Sequence, residues 1–239
     1  MSKTSKPLPN WDETLTVASR IQTILPETAL FGGCAAVHYV GHRVSYGVDY
    51  AMKGLDYNYY EILSQLDSIA GWKRIWTKPR QAILGSLDGI KVSVRRLSRT
   101  EPLETFSFEY KGIQIVLLTE AELIKSKSVA ILFRSVVRDY LDLAALVEHS
   151  GPEKSIKALN DLDRARHMEN DQSALRILQT KISNPAPEDI KKINFKNYKK
   201  LIPKWRTWEY TVRVLKRLAM DLSESTRDKS TPRPSGPRP

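Results

Sequence analysis

Between Leu30 and Tyr50 the chain reads Leu-Phe-Gly-Gly-Cys-Ala-Ala-Val-His-Tyr-Val-Gly-His-Arg-Val-Ser-Tyr-Gly-Val-Asp-Tyr, which sets a glycine pair and a lone aspartate in one short stretch. Glycine has no Cβ, so the backbone N–H groups of Gly32 and Gly33 can approach an anion such as a phosphate closely. Asp49, flanked by Val48 and Tyr50, lies in a stretch read as a strand, where aspartate is disfavoured unless it has a partner or a task. The task that suits it is holding a divalent metal ion. That chemistry uses paired carboxylates at i and i+2, a spacing that points both to one face of a strand. The position two residues earlier is Gly47, so only one acid is present. Each feature has a plainer alternative: a tight strand-to-helix turn for the glycines, and an edge-strand acid facing water for Asp49.

A second group of residues begins at Glu122-Leu-Ile-Lys-Ser-Lys127 and continues through Arg134 to Arg138-Asp139-Tyr-Leu-Asp142. At about 100° per residue, Lys127, Arg134 and Arg138 fall within about 40° of one another on a continuous helix, with Asp142 about 60° from Lys127. Three cations ending in acids suit a wall facing a triphosphate, with Arg134 and Arg138 able to make bidentate phosphate contacts. The alternative is a solvated face with internal ion pairs.

These residues need elements to carry them. A helix capped by Asn10 is expected to carry Val17, Ala18, Ile21, Ile24 and Leu25 until Pro26 stops it. Ala29–Phe31 should be a strand, Ala35–Gly41 a helix, Val44–Met52 a second strand and Asp56–Ile69 another helix. Further strands are predicted at Trp72–Thr77, Gly89–Leu97, Thr105–Tyr110 and Ile113–Leu118, with Lys111-Gly112 turning the last hairpin. From Thr119 the chain reads as helix: Thr119 and Glu122 make a capping box, one helix runs to about Val137, and another carries Asp139 to His149. A last helix is expected over Lys204–Ser223. The resulting layout is a disordered leader over 1–9, an α/β domain over 10–118, a helical domain over 119–223 and a disordered tail over 224–239.

Several lesser features have roles in packing or on the surface. Between Ile190 and Arg217 ten Lys or Arg residues face one acid, Glu209, and aromatics are interleaved among them. Lys191, Lys192, Lys196, Lys199 and Lys200 are the nucleic-acid-binding candidates, against the alternatives of an acidic protein partner or a solvated face. Trp205 and Trp208, at helical core spacing, are expected in the core. His38, His42, His149 and His167 are too scattered for a metal site; His42, beside Arg43, is read first as a surface turn residue, with a place lining the cleft as the alternative. Cys34 should be a small buried residue, and Tyr57, Tyr59 and Tyr60 should pack.

The 239 residues are enough for a full core, and 38 Lys and Arg against 27 Asp and Glu give a formal charge of +11, favouring phosphate-bearing or polyanionic partners. One cysteine excludes an internal disulfide framework and suits a reducing cytoplasm. No apolar run is long enough to span a membrane.

Taken together, Gly32-Gly33-Cys-Ala, then His42-Arg43-x-Ser45-x-Gly47-x-Asp49, then Glu122-x4-Lys127-x2-Ala130-x3-Arg134-x3-Arg138-Asp139-Tyr-Leu-Asp142 resembles the AbiEii/AbiGii-type nucleotidyltransferase toxin family, as do Ile83–Gly89 and Arg99–Thr105. The resemblance covers roughly Ala29 to His149. It implies an α+β chain: a polymerase-β-like nucleotidyltransferase mixed sheet with flanking helices, followed by an all-helical C-terminal domain. It implies a toxin of a bacterial toxin–antitoxin or phage-defence system that uses Mg²⁺ and a nucleoside triphosphate (NTP) to transfer a nucleotide to an acceptor such as tRNA, held in check by a cognate antitoxin. In that pattern Gly32, Gly33, Arg43, Ser45, Arg134 and Arg138 bind nucleotide, Asp49 holds metal, Lys127 binds phosphate or assists transfer, and Asp139 or Asp142 orients the cations. The sequence departs from the pattern at Gly47, where the family has aspartate, and a third acid is wanting in Ile90–Arg96; Glu104 and Glu109 are the substitutes at hand. The departure implies either an impaired transferase or a catalytically silent relative that acts as a nucleic-acid or protein binding module.

Overall fold

The protein is described by a computed structural model over residues 11–97, 102–166, 168 and 172–230, side chains of 226–230 excepted. The expected leader, the Asn10 cap, His167, part of the Arg99–Thr105 segment and the end of the expected tail lie outside the described residues.

Helix α1 (Trp11–Ile24) turns Val17, Ala18 and Ile21 inward and is followed by the short strand β1 (Thr28–Phe31). Helix α2 (Gly32–Val40) starts at the glycine pair itself, and β2 (Gly47–Met52) returns antiparallel to β1, opposing Phe31 to Asp49. Helix α3 (Tyr59–Asp67) buries Tyr59, Ile62 and Leu66, whereas Tyr57 and Tyr60 are exposed, so of the three tyrosines only Tyr59 packs in the core.

Strands β3 (Trp72–Lys78), β4 (Ala82–Leu87), β5 (Ile90–Arg96), β6 (Thr105–Tyr110) and β7 (Ile113–Leu118) complete a seven-stranded mixed sheet in the order β3-β4-β5-β2-β1-β7-β6. β2 runs parallel to β5, and β1 parallel to β7. Strand β4 was not expected, because Ala-Ile-Leu-Gly-Ser-Leu lacks clean alternation. Its Gly85 lies beneath the Trp72 ring, where a Cβ would come within 2.3 Å of a ring carbon, so the position needs the missing side chain. Lys111 and Gly112 both have positive φ (49° and 79°) and make the tight hairpin turn between β6 and β7.

Thr119 caps helix α4 (Glu120–Arg134), its hydroxyl accepting from the Glu122 N–H at 3.3 Å. The helix stops at Arg134, where Ser135 turns left-handed (φ 39°), and α5 (Val137–Ser150) starts in a new direction; the predicted continuation to Val137 fails at that turn. Helices α6 (Pro152–Asn160), α7 (Leu162–Ala165) and α8 (Ala174–Ser183) follow. The last helix, α9 (Trp208–Ser230), starts later than expected and runs past Ser223, so residues 224–230 are helical rather than tail. Trp205 lies in a 3-10 turn just before it and is fully buried, and Trp208 packs partly buried against the core. A single apolar cluster runs from Ile21 through the sheet to Leu141, Leu178, Leu215 and Leu222. It joins the sheet to the helices and fixes the cleft between them.

Candidate functional site

The turn at Ser135 is what assembles the cleft. Because α5 folds back on α4, Asp139 and Asp142 meet the cations of α4 instead of extending the same stripe. Asp142 is fully buried and is the node: Arg43 donates through Nε to Oδ1 at 2.7 Å and through Nη2 to Oδ2 at 2.8 Å, and His42 Nε2 meets Oδ1 at 2.8 Å. Lys127, 3% exposed, places Nζ 2.7 Å from Asp142 Oδ2 and 3.6 Å from Asp139 Oδ1. Arg134 grips Asp139 with two parallel bonds, Nε at 2.6 Å and Nη2 at 2.8 Å. Burial alone would push the Asp142 carboxyl up, but Arg43 and Lys127, with hydrogen bonds from His42 and Arg43, outweigh it and hold it well below the usual carboxylate range. Burial holds His42 below its ordinary value despite Asp142, so the neutral ring donates its Nε2–H to the carboxylate.

The expected continuous stripe of Lys127, Arg134 and Arg138 is therefore corrected. Lys127 and Arg134 share α4, while Arg138 starts α5 on its exposed side. His42 is also corrected: it is 0% exposed, T-shaped against the Trp205 ring at 6.4 Å, and not a surface turn residue. An adjacent His-Arg pair in a loop gives no sequence sign of a carboxylate a hundred residues away.

The glycine pair forms the adjoining wall. Gly32 has φ 70°, which favours glycine, and a Cβ there would sit 3.1 Å from Asp49 Oδ2. A Cβ on Gly33 would come within 2.5 Å of Arg43 Nη2. The N-terminus of α2 thus lies between the carboxylate of Asp49 and the guanidinium of Arg43, and its N–H groups and dipole favour an anion. Cys34, buried behind this turn as expected, has its thiol pushed up to about 12 by burial and then by Asp49, which suits a packing residue and not a nucleophile. Ser45 is buried and donates its hydroxyl to the Gly47 carbonyl at 3.1 Å.

The basic segment before α9 divides in two. Lys191, Lys192, Lys196 and Lys200 are exposed, but Lys199 is half-buried and lies within electrostatic reach of Arg43, Arg138 and Lys127. Its backbone carbonyl accepts from Val44 N–H at 2.8 Å, so it belongs to the cleft wall. The same cleft carboxylate, Asp142, also acts on it, and sequence spacing carries no sign of this, because the contact depends on a segment crossing back over the α2–β2 connection.

A paired metal site does not fit these residues. Asp49 stands opposite Ser93 in the β2–β5 register, and the Ser93 hydroxyl donates to Asp49 Oδ1. Ser93 and Gly47 occupy the places from which further carboxylates would be offered. Glu104 and Glu109 do not fill the gap. They are exposed, Glu109 on β6 and Glu104 just before it, and β1 and β7 separate β6 from β2, so Glu109 is about 14 Å from it at about 4.8 Å per strand. Among the described residues no group of three His, Cys, Asp or Glu side chains could hold a metal ion. Asp49 with Ser93 offers at most a single carboxylate ligand.

No family model matches the chain, and no curated protein matches it. Among solved structures, the fold is similar to that of a protein from H. pylori assigned as a nucleotidyltransferase, at TM-score 0.57 and 15% identity over 97% of this chain and 100% of that one. Weaker likenesses are to an antigenic nucleotidyltransferase-like protein from Paracoccidioides brasiliensis (TM-score 0.44, 14% identity, 70% of this chain and 92% of that one) and to the antibiotic-resistance factor ANT(2'')-Ia (TM-score 0.46, 11% identity, 61% and 90%). Among the described residues no helix is long and apolar enough to cross a membrane. The chain has the polymerase-β-like nucleotidyltransferase fold: a mixed seven-stranded sheet with flanking helices and a helical C-terminal part, its cationic cleft at the α2 N-terminus.

Proposed function

We propose that the chain is a nucleotidyltransferase-type toxin of a bacterial toxin–antitoxin or phage-defence system, that it takes an NTP in the cleft described above, and that its transfer step is impaired. One observation carries the reading: Arg43, Lys127 and Arg134 are gathered by Asp139 and Asp142 beside the Gly32-Gly33 turn and Asp49. Phosphoryl and nucleotidyl transfer depend chiefly on positioning and on neutralising phosphate charge, and this wall offers both. The acceptor is a nucleic acid, tRNA being the one the motif resemblance implies, and the exposed Lys191, Lys192, Lys196 and Lys200 are the surface that would meet it. A cytoplasmic setting and a cognate antitoxin belong to the same reading. Asp49 is the one carboxylate of the cleft's sheet wall that could touch a Mg²⁺ ion, and the lack of companion carboxylates supports the impairment.

The test is incubation with Mg²⁺, each labelled NTP and total tRNA. A low level of label transfer that Asp49→Asn abolishes is the expected result. A second reading, a silent relative that binds nucleic acid or protein, is favoured by Gly47 and Ser93, and no transfer with any nucleotide would select it. Charge reversal at Lys191, Lys192 and Lys196 should weaken RNA binding and flatten its salt dependence, and an unchanged affinity returns that patch to a solvated face.

A further inference from the structure

The two walls of the cleft carry very different charge. On the sheet side one carboxylate, Asp49, is bonded to Ser93, and position 47 is closed: a Cβ there would lie 2.6 Å from the Lys91 carbonyl oxygen. On the helical side five cations, Arg43, Lys127, Arg134, Arg138 and Lys199, stand around the carboxylates of Asp139 and Asp142, with Asp189 at the edge, where its Oδ1 accepts from the Val137 N–H at 2.7 Å. Asp142 is taken up by Arg43 and Lys127, and Asp139 by Arg134 and Lys127. Among the described residues Arg138 and Lys199 have no carboxylate within ion-pair distance.

Lys199 is the more telling of the two. It sits within the 3-10 turn Tyr198–Lys200, in a segment tied down by Val44 N–H to the Lys199 carbonyl and, just before the next 3-10 turn (Pro203–Trp205), by Ile202 N–H to the His42 carbonyl at 3.1 Å. Lys199 and Lys200 both take left-handed φ, 47° and 48°, which is unfavourable for side-chain-bearing residues. The ammonium lies over the Tyr46 ring, 5.2 Å from its centroid, and burial followed by Arg43 outweighs the opposing pull of Asp142 and pushes its pKa down to about 8. A strained loop that holds a half-buried cation against other cations is costly until an anion joins them.

We infer that the cleft takes the polyphosphate of its nucleotide as a free anion, without a divalent metal ion, with Lys199 and Arg138 supplying the positive charge that metal ions supply in two-metal sites. This rests on the reading of the cleft as the NTP site and specifies the ionic form that it takes. No bond is made or broken in this step.

The test is calorimetric titration of ATP and of inorganic tripolyphosphate into the full chain and into Lys199→Met, in EDTA and in excess MgCl₂ at equal ionic strength. The wild type should saturate in EDTA and bind several-fold more weakly with Mg²⁺, which neutralises the anion that the cations attract. Lys199→Met keeps the backbone ties and should lose about tenfold in EDTA, the worth of one charge-assisted hydrogen bond. Lys154→Met, an exposed lysine on α6, should match the wild type. Binding that requires Mg²⁺ overturns the inference and leaves the NTP reading standing, whereas absence of binding in both media overturns both. Equal affinities for wild type and Lys199→Met overturn the role of Lys199.

Discussion

The helical wall of the cleft and its sheet wall are built on opposite principles. On the helical side a fully buried carboxylate, Asp142, is saturated by His42 and Arg43 from the α2–β2 connection and by Lys127 from α4, so its partners come from two distant segments of the chain. On the sheet side Asp49 has a hydroxyl for company and glycine two residues before it. The first wall depends on every member being present, because a buried charge without its partner is expensive. The second could change one residue without collapse, since its groups are polar but few. A fold can therefore keep the machinery that seats an anion while losing the carboxylates that would hold metal ions against it.

The largest expected effect falls on the helical wall. Asp142→Ala leaves Arg43 and Lys127 buried without their carboxylate and should cost about 3–5 kcal/mol of stability in urea unfolding. A loss below about 1 kcal/mol would mean that the wall is not the rigid half. Next, Gly47→Asp should test whether the sheet wall can regain a metal site. The new side chain meets the Lys91 carbonyl, so destabilisation of about 1–3 kcal/mol is expected, partly recovered by Mg²⁺ in a thermal melt. A variant as stable as the wild type would show that the β2–β5 pairing has more room than its geometry allows.

A smaller effect concerns pH. Lys199 is held at about 8 against an ordinary lysine value of 10.5. Between those values the unfolded chain keeps a proton that the folded chain has released, so stability rises with pH across that window, and below about 8 the full penalty of the buried charge remains. Lys199→Met should therefore melt higher than the wild type at pH 7, and the advantage should fade by pH 10. A difference that does not change with pH would place the Lys199 ammonium in water.

Much of this was legible from the chain, and what was missed shares one cause. The hairpin at Lys111-Gly112, the Thr119 cap, the buried Cys34 and the strand carrying Asp49 are local, so turn chemistry, capping and alternation announce them. The sequence also singles out Lys127, Arg134, Asp139 and Asp142 and sets Asp139 on a second helix, but it runs the first helix to about Val137 and aligns Lys127, Arg134 and Arg138 as one stripe, since nothing in Phe-Arg-Ser-Val-Val marks a left-handed turn at Ser135. The burial of His42 and the place of Lys199 in the cleft wall are not legible for a related reason. Their partners lie far along the chain, and residue type alone does not show that a loop returns across the cleft. Strand β4 escaped because its glycine exists to admit the Trp72 ring, a contact that no periodicity encodes.

The central claim is that the α4–α5 cations and the glycine turn seat a triphosphate. Equilibrium titration of ATP into the wild type and into the Arg134→Met/Arg138→Met double variant, both confirmed folded by circular dichroism, tests it most directly. The account predicts saturable binding by the wild type and at least about a tenfold loss in the variant. Equal affinities, or no saturable binding by the wild type, would contradict it.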